Sequence, residues 1–498
     1  LKHTFDDAAL SVQTVCELSA APVQAEFSPR ALERMTRGRE IVERSLAAGT
    51  PVYGATTGIG SQKDVTVHSD ERQAFGNRMI VSEATQARGP AFPEEVVRGA
   101  LIVLCHNLAK GRSGIRPLLG RALLELLAST PLPEVRRDCA FGVADLTPLA
   151  QLALPIIGCS LAAGSPVHSW GISLAPKESV SLIDNNSFAL AEAALMLRDA
   201  GDLLRAFDLA AAVACEGFRA GLAPHTAGGG GNHAPGQNLT RAHLFALLDG
   251  SALHAPGAAR YLQDPLSFRS ITQVHGAAYE TLTWATRQAE AEINAAADNP
   301  LVDLDRETLL PSASMVSVLP VLAIDSLRQA IAKVTITSHE RSLKLQSPPF
   351  SGLPVGLAAD GAADGGILSL NLHYIGAARL GSLTAAAAPV LLTYIGHTAD
   401  GVEDVSTLLP LAVTQTREVI ARAFELAVLE MIVGVWAIAR RGLAPSSLGR
   451  GPRRVHDALL PMLHIGEEGT RIFDFAAIIE RVETMGLVRL AFANETSP

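Results

Sequence analysis

Four side chains in this sequence could move protons or grip a charged ligand. Tyr53 stands in Val52-Tyr53-Gly54-Ala55-Thr56-Thr57-Gly58-Ile59-Gly60, whose glycines and threonines predict a loop. A tyrosine before glycine is commonly a packing residue, and a free phenol, with a pKa near ~10, needs help to ionise at neutral pH. Glu83 ends a stretch that reads as a helix over residues 71–84. Its carboxylate is either solvated on that helix or lines a pocket. In a pocket it could hold a cationic or hydroxyl-bearing group, or work as acid and base. Asp184 is either a cap or surface acid, or a second carboxylate beside Glu83. Two such groups, close and buried, would raise at least one pKa. Arg269 is either half of a structural ion pair or, through its planar fork, a clamp for a carboxylate.

Other chemistries find little support. The run Gly228-Gly229-Gly230-Gly231 is followed by no Lys-Ser/Thr and preceded by a helical stretch, so it reads as a surface loop rather than a phosphate cradle. The five cysteines (Cys16, Cys105, Cys139, Cys159, Cys215) are widely spaced, with no CxxC pattern. They read as reduced core thiols of a cytoplasmic protein, and no metal site is expected. A net charge of −9 without a Lys/Arg cluster argues against nucleic acid as a partner. The most apolar tract, residues 424–439, is short and interrupted by charge, so no membrane span is expected.

The elements that must position these groups are helical. The chain has 498 residues, 48% hydrophobic and 18% charged, enough for a large core. Length alone suggests about three domains. Long Ala/Leu tracts suggest instead one helical body, divided as a loop-rich region 1–175, a long-helix region 176–440 and a C-terminal region 441–498. Ser28-Pro29 starts a helix with apolar positions at Leu32, Met35, Ile41, Val42 and Leu46. The stretch 138–149, DCAFGVADLTPL, reads as a loop feeding a helix. Asp145 is its expected N-cap, Pro148 suits the first turn, and Leu146, Leu149, Leu152 and Leu154 make the apolar run. A long Ala/Leu helix runs to about Phe218, and three more cover residues 272–296, 319–344 and 414–441.

Several of these stretches together resemble the histidine and phenylalanine ammonia-lyase family over residues 30–490. Asp145-Leu146-Thr147-Pro148-Leu149 is similar to that family's Asp-Leu-x-Pro-Leu run. There an Ala-Ser-Gly tripeptide directly before the run cyclises into the electrophile methylidene-imidazolone. Here the tripeptide position reads Gly142-Val143-Ala144, and Val143 has no hydroxyl to lose. The spacing from Ser113-Gly114-Ile115-Arg116 is near the family's, so no residues have been dropped. The Tyr53 loop is similar to Tyr-Gly-x-x-Thr-Gly-x-Gly, whose tyrosine is the family's catalytic base. Asn107 to Arg116 is a close match whose implied role is scaffolding. Ser82-Glu83 falls where histidine-specific members carry Ser-His, the position that selects the substrate's side chain. Pro176-Lys177-Glu178-Ser179-Val180-Ser181-Leu182-Ile183-Asp184-Asn185 resembles Pro-Lys-Glu-Gly-Leu-Ala-Leu-Ile-Asn-Gly, with Asp184 replacing the Asn that meets the reacting end of the substrate.

Gln263-Asp264-Pro265-Leu266-Ser267-Phe268-Arg269 resembles Gln-Asp-x-Tyr-Ser-x-Arg, followed by Glu292-Ile293-Asn294 and Asp298-Asn299-Pro300. The resemblance makes Arg269 the partner of a substrate carboxylate, with Gln263, Leu266 and Met315 also at the substrate site. Leu266 replaces a tyrosine. Ser312-Ala313-Ser314-Met315-Val316-Ser317 stands where the family has Gly-Gly-Asn-Phe-His-Gly, and no acid occupies Ser382 or Leu383, beyond Gly365-Gly366. Gly401-Val402-Glu403-Asp404-Val405-Ser406 resembles a run expected to cap the core rather than do chemistry.

The resemblance implies a mainly α-helical protein with a central bundle of long helices, assembled as a homotetramer whose sites mix residues of three subunits. The departures concentrate at the chemistry. The leading expectation is a lyase-like enzyme without the imidazolone cofactor, using Tyr53, Glu83 and Asp184 for elimination, isomerisation or cyclisation by addition. Its substrate would be a small carboxylate-bearing molecule, in specialised metabolism. The alternative is a catalytically inactive homologue that binds a small carboxylate or a partner lyase. A third reading has some other residue triple forming an electrophile. Ordinary ammonia-lyase activity is the least favoured, since nothing would acidify the β-proton.

Overall fold

Ser28 starts its helix as its type predicts. Its hydroxyl accepts the Ala31 N–H at 3.1 Å, Pro29 occupies the first turn, and the helix runs Pro29–Ala47. Ile41 and Val42 of that helix bury themselves against Val302, with Leu46, Leu304 and Leu309 around them. Val302 belongs to the antiparallel pair Leu301–Asp303 and Thr308–Leu310. In the computed structural model, residues 1–84, 89–137, 139–159, 169–226, 234–358, 367–465 and 471–492 are described. Asp138, the whole glycine run Gly228-Gly229-Gly230-Gly231 and Gly365-Gly366 lie outside them.

The chain forms two units, each gathered from three separated stretches. The first comprises Leu1–Arg198, Ala285–Ile324 and Pro389–Thr414. Within it, Glu94–Ala109 is a helix buried on all sides, and Arg72–Ala84 packs on both Leu146–Ala153 and Glu178–Ile183. Lys2–Phe5 and Gln24–Phe27 make a short parallel pair. Asp145 takes the N-cap position of Leu146–Ala153, but its carboxylate makes no cap bond there. It accepts instead from Ala189 N at 2.8 Å, in the first turn of Ser187–Phe218. A local spacing rule names the position; tertiary packing decided which helix the acid serves.

The second unit comprises Asp199–Trp284, Asp325–Ala388 and Gln415–Pro498. Its long helices are tied by buried polar groups. Arg341 and Glu430, both fully buried, pair with Nη2 to Oε2 at 3.0 Å, and Ser338 donates to the same carboxylate at 2.6 Å. Asp208 accepts from Tyr279 at 2.9 Å and meets His243 and His275 at 2.7 Å each. Such groups are tolerated in a core because each finds partners.

The long-helix expectations hold with small shifts. Helices run Ser187–Phe218, Ile271–Ile293, Val318–Leu345 and Leu409–Arg440. The last starts earlier than its periodicity suggested, because Pro410 sits in the first turn, where its missing N–H costs nothing. Among the described residues, no helix is long and apolar enough to cross a membrane.

Candidate active site

In the first unit, a cavity of about 800 Å³ opens where three loops meet the ends of two helices. That volume suits a small-molecule ligand. Tyr53 enters from its loop, which is pinned by the Val52 N–H donating to Thr56 Oγ1 at 2.7 Å. Gly54 follows with φ +68°, and a Cβ there would run into the Val180 side chain. Only glycine therefore lets the Tyr53 loop lie against the helix Glu178–Ile183. Asp184 caps the C-terminus of that helix, its N–H bonded to Val180 O at 2.8 Å, and its side chain lines the cavity. Glu83 and Met79 come from Arg72–Ala84.

Behind Asp184 lies a buried charge pair. Lys177 donates to Asp298 Oδ2 at 2.9 Å, Ser181 Oγ at 2.8 Å and Ser113 O at 2.9 Å. Glu178, equally buried, pairs with Arg116 at 2.7 Å and accepts the Ala175 N–H. The scaffolding expected of the stretch ending at Arg116 is visible in these bonds.

The opposite wall comes from residues 312–316 and 398–405. Met315 lines the cavity, and its carbonyl accepts from Asn186, which also donates to Ser317 Oγ at 2.9 Å. Asn299 lines the cavity and accepts the Ser312 N–H at 3.0 Å. Glu403 and Asp404 line it too, with Thr398 donating to Glu403 Oε2 at 2.7 Å. Here the structure corrects the expectation that their run only caps the core. Ser406 and Thr407 do the anchoring, while the two acids preceding them face the open space. Their resemblance to the family's acidic run was the available signal, but it gave no direction for the side chains.

Enclosure and like charge shape the acidity of these groups. Asp184 is pushed up to about 8, first by burial, then by Asp298 and Glu403, with Lys177 opposing. Burial raises Glu83, and Glu403 adds to it. Burial also raises the Tyr53 phenol above its ordinary value, and Asp184 and Glu403 push the same way; the Gly60 N–H, donating to its oxygen at 2.8 Å, opposes them. Tyr53 is therefore a protonated phenol at neutral pH, able to give a proton rather than take one.

The structure brings Tyr53, Glu83, Val143, Asp184 and Met315 to one cavity. Gly142 and Ala144 flank Val143 and are buried. Gln263, Leu266 and Arg269 belong to the second unit. Gln263 and Leu266 are exposed there, and Arg269 ends the short helix Leu266–Arg269. Its Nε is buried and finds no hydrogen-bond partner among the described residues. Arg269 makes no ion pair within 4 Å among them, and its charge acts on the nearby Asp264 carboxyl, opposing the rise that burial imposes there.

Residues 10–460 match the family model described as aromatic amino acid lyase. The chain belongs to that family. A histidine ammonia-lyase of Stigmatella aurantiaca is 30% identical, over 98% of each chain. Solved structures share the fold. The ergothioneine-degrading enzyme ergothionase of Treponema denticola aligns over all of both chains with a TM-score of 0.88 at 22% identity. A tyrosine aminomutase of Streptomyces globisporus aligns over 100% of this chain and 99% of its own, also at 0.88 and 22%.

The stretch before Asp145 is held by the segment 406–408. Here the Phe141 carbonyl accepts from Leu408 N at 3.1 Å and from the Ser406 hydroxyl. The Gly142 carbonyl accepts from Thr407 Oγ1 at 2.9 Å. Gly142 has φ +88°, and a Cβ would lie 2.6 Å from Leu408 N. Ala144 is held at φ +66°, a left-handed conformation costing an alanine about 1–2 kcal/mol. Asp145 N then bonds Asn185 O at 2.8 Å, tying this turn to the residue after Asp184. The backbone is gripped on both sides, and Val143 faces the cavity between them.

Proposed function

We propose that this family member is a lyase-like acid–base catalyst acting without the imidazolone on a small carboxylate-bearing substrate. The observation that supports it is Val143, facing the cavity that Tyr53, Glu83 and Asp184 share. Ring formation removes water from the middle side chain of the tripeptide to leave a methylidene group. A valine has no oxygen to lose, so the residues present do not fit that group. The chemistry falls to the side chains.

Asp184 is the proposed base. A group titrating at about 8 has both forms available near neutral pH, the range where proton transfer is most effective. In elimination it takes a proton from the carbon β to the carboxylate; that electron pair becomes the C=C bond, and the pair of the C–N bond leaves with the amine. Addition reverses these steps, and cyclisation follows when the nucleophile is tethered. Isomerisation is elimination followed by addition at the other carbon. Tyr53 steadies the leaving or entering group with its phenol proton. Glu83 contacts the far end of the substrate. Without an electrophile to acidify the β-proton, ordinary phenylalanine, tyrosine and histidine are poor substrates, and the natural one carries its own activation.

Arg269, together with Gln263 and Leu266, is proposed to take the substrate carboxylate on assembly of a homotetramer. The Arg269 Nε, buried without a hydrogen-bond partner among the described residues, and exposed apolar side chains support this. Leu392 and Tyr394 are 87% and 83% exposed in the first unit, and Leu266 is 67% exposed in the second. Such large apolar surface commonly marks an interface. The cysteines are free, in keeping with a cytoplasmic enzyme of specialised metabolism.

The test is turnover of a panel of amino acids and α,β-unsaturated acids in D₂O, reading β-deuterium incorporation and amine release. The expected result is exchange or turnover on an activated substrate that Asp184→Asn abolishes, and no brisk ammonia release from phenylalanine, tyrosine or histidine. Brisk release from those three overturns the proposal, and so does a panel wholly untouched by the protein, which leaves the inactive homologue.

A further inference from the structure

Three arginines meet in the second unit with no acid between them. Arg219 follows the helix Ser187–Phe218, Arg441 follows Leu409–Arg440, and Arg260 lies at the start of the segment leading to Arg269. Backbone and side-chain bonds tie the three positions together. The Arg260 N–H donates to Arg219 O at 3.1 Å, and Arg441 Nε donates to Gly217 O at 2.6 Å. Arg441 is pushed down to about 10, first by burial, then by the like charges of Arg260 and Arg219. Among the described residues, none of the three makes an ion pair. Like charges drawn together and left unmatched are costly unless something compensates them.

A cation at the C-terminal end of a helix is ordinarily explained by the carbonyls it meets. Arg441 fits that role, since its Nη2 also donates to Ser351 O, at the end of the short helix Pro348–Ser351. Arg260 does not. Its guanidinium lies over the Tyr261 ring at 5.2 Å and makes no hydrogen bond among the described residues, although its Nη1 is enclosed. Gly352, at φ +63°, leaves the room for it, because a Cβ there would run into the guanidinium. Arg219 stands out in a second way. It holds φ +60°, the left-handed position just after a helix where glycine is the relaxed choice. A long cationic side chain is thus kept at a position whose backbone favours glycine.

We infer that Arg219, Arg260 and Arg441 form a site for a phosphate group, carried by free phosphate or by a phosphomonoester. Planar guanidinium forks match the oxygens of such a group. A dianion also answers three unmatched cations better than a single carboxylate does. Tyr261 and Phe350 are exposed beside Arg260, the tyrosine hydroxyl donating to Phe350 O at 2.7 Å, and offer apolar surface to the organic part of an ester. The role proposed for Arg269 is separate, since its charge acts on Asp264. This site stands whether or not the lyase reading does. An anion bound here would fasten Arg260, and with it the start of the segment leading to Arg269, to the end of the long helix Ser187–Phe218.

The experiment is calorimetric titration of inorganic phosphate and of phenyl phosphate, at constant ionic strength in chloride, into the wild-type protein, Arg260→Gln and Arg219→Gly. At least one of the two ligands is expected to bind the wild type, and each variant to weaken that binding about tenfold or more. Arg219→Gly has a second readout. Without phosphate its melting temperature should not fall below that of the wild type, since glycine accepts the left-handed backbone. Added phosphate should then raise the melting temperature of the wild type more than that of the variant. Tighter binding of phenyl phosphate assigns the site to an ester, and equal or tighter binding of inorganic phosphate assigns it to the free ion; either supports the inference. No binding of either ligand overturns it, as when an acid of a second copy fills the cluster. Binding that the variants leave intact overturns it too, because the phosphate then sits elsewhere. If Arg260→Gln does not fold, Arg219→Gly decides.

Discussion

The Gly60 N–H donates to the Tyr53 phenol oxygen at 2.8 Å, leaving the phenol's own proton free to point into the cavity. Carboxylates on the same cavity and the burial of the ring hold that proton on. Tyr53→Phe keeps the ring and removes the proton. Turnover should fall about 10²–10⁴-fold, the usual range for a lost proton-transfer group. Stability should change by no more than about 1 kcal/mol, since one hydrogen bond is lost. Steady-state kinetics and urea denaturation read the two effects independently.

Asp184→Asn separates activity from stability. The folded-state pKa of about 8 lies above the ordinary 3.8, so between these values the folded chain binds a proton that the unfolded chain has released. The contribution of Asp184 to stability is thus intact below its ordinary value and is lost as pH climbs through about 8. An asparagine has no such loss. The variant should be inactive yet gain up to about 5 kcal/mol over the wild type at pH 8, relative to their difference at pH 4. Denaturation at the two pH values checks this. A variant whose stability tracks the wild type at both would show that the acid is not held protonated.

Lys177 acts on the reaction only through Asp184. Its ammonium lowers the pKa of that carboxyl group, against Asp298 and Glu403. With Lys177→Met the base should become harder to ionise, and the acidic limb of the pH–rate profile should move to higher pH. Stripping Asp298 of its buried partner should also cost about 3–5 kcal/mol. A rate loss with no movement of the limb would mark Lys177 as purely structural.

Arg269→Ala should raise KM for a carboxylate substrate far more than it lowers kcat, with a loss in kcat/KM of about 10²-fold or more. Arg269→Lys should recover little, because a point charge does not reproduce a two-pronged contact. Among the described residues its guanidinium makes no ion pair within 4 Å and acts only through its charge on Asp264, so the melting temperature of Arg269→Ala should fall little below that of the wild type.

Much of this was legible in the sequence, and the failures have physical causes. The cap at Ser28 and the long helices follow from local spacing. Asp145 shows where spacing stops, since its position was correct and its partner came from another helix. Tyr53, Glu83, Val143, Asp184 and Met315 were singled out as residues, but nothing in the order of the chain says that they line one cavity. Gly54 makes that possible through a contact with Val180, more than a hundred residues away in sequence. Glu403 and Asp404 were set aside because a run that anchors a loop looks the same whether or not two of its side chains turn toward open space. The state of Tyr53 was likewise hidden, since a phenol's acidity depends on the acids folded around it.

The most direct measurement is the intact mass of the purified protein. The account requires the mass of the unmodified chain, with Val143 still a valine between Gly142 and Ala144. A chain lighter by two waters would mean that a cyclised electrophile forms somewhere along it, and catalysis by Tyr53, Glu83 and Asp184 alone would be contradicted.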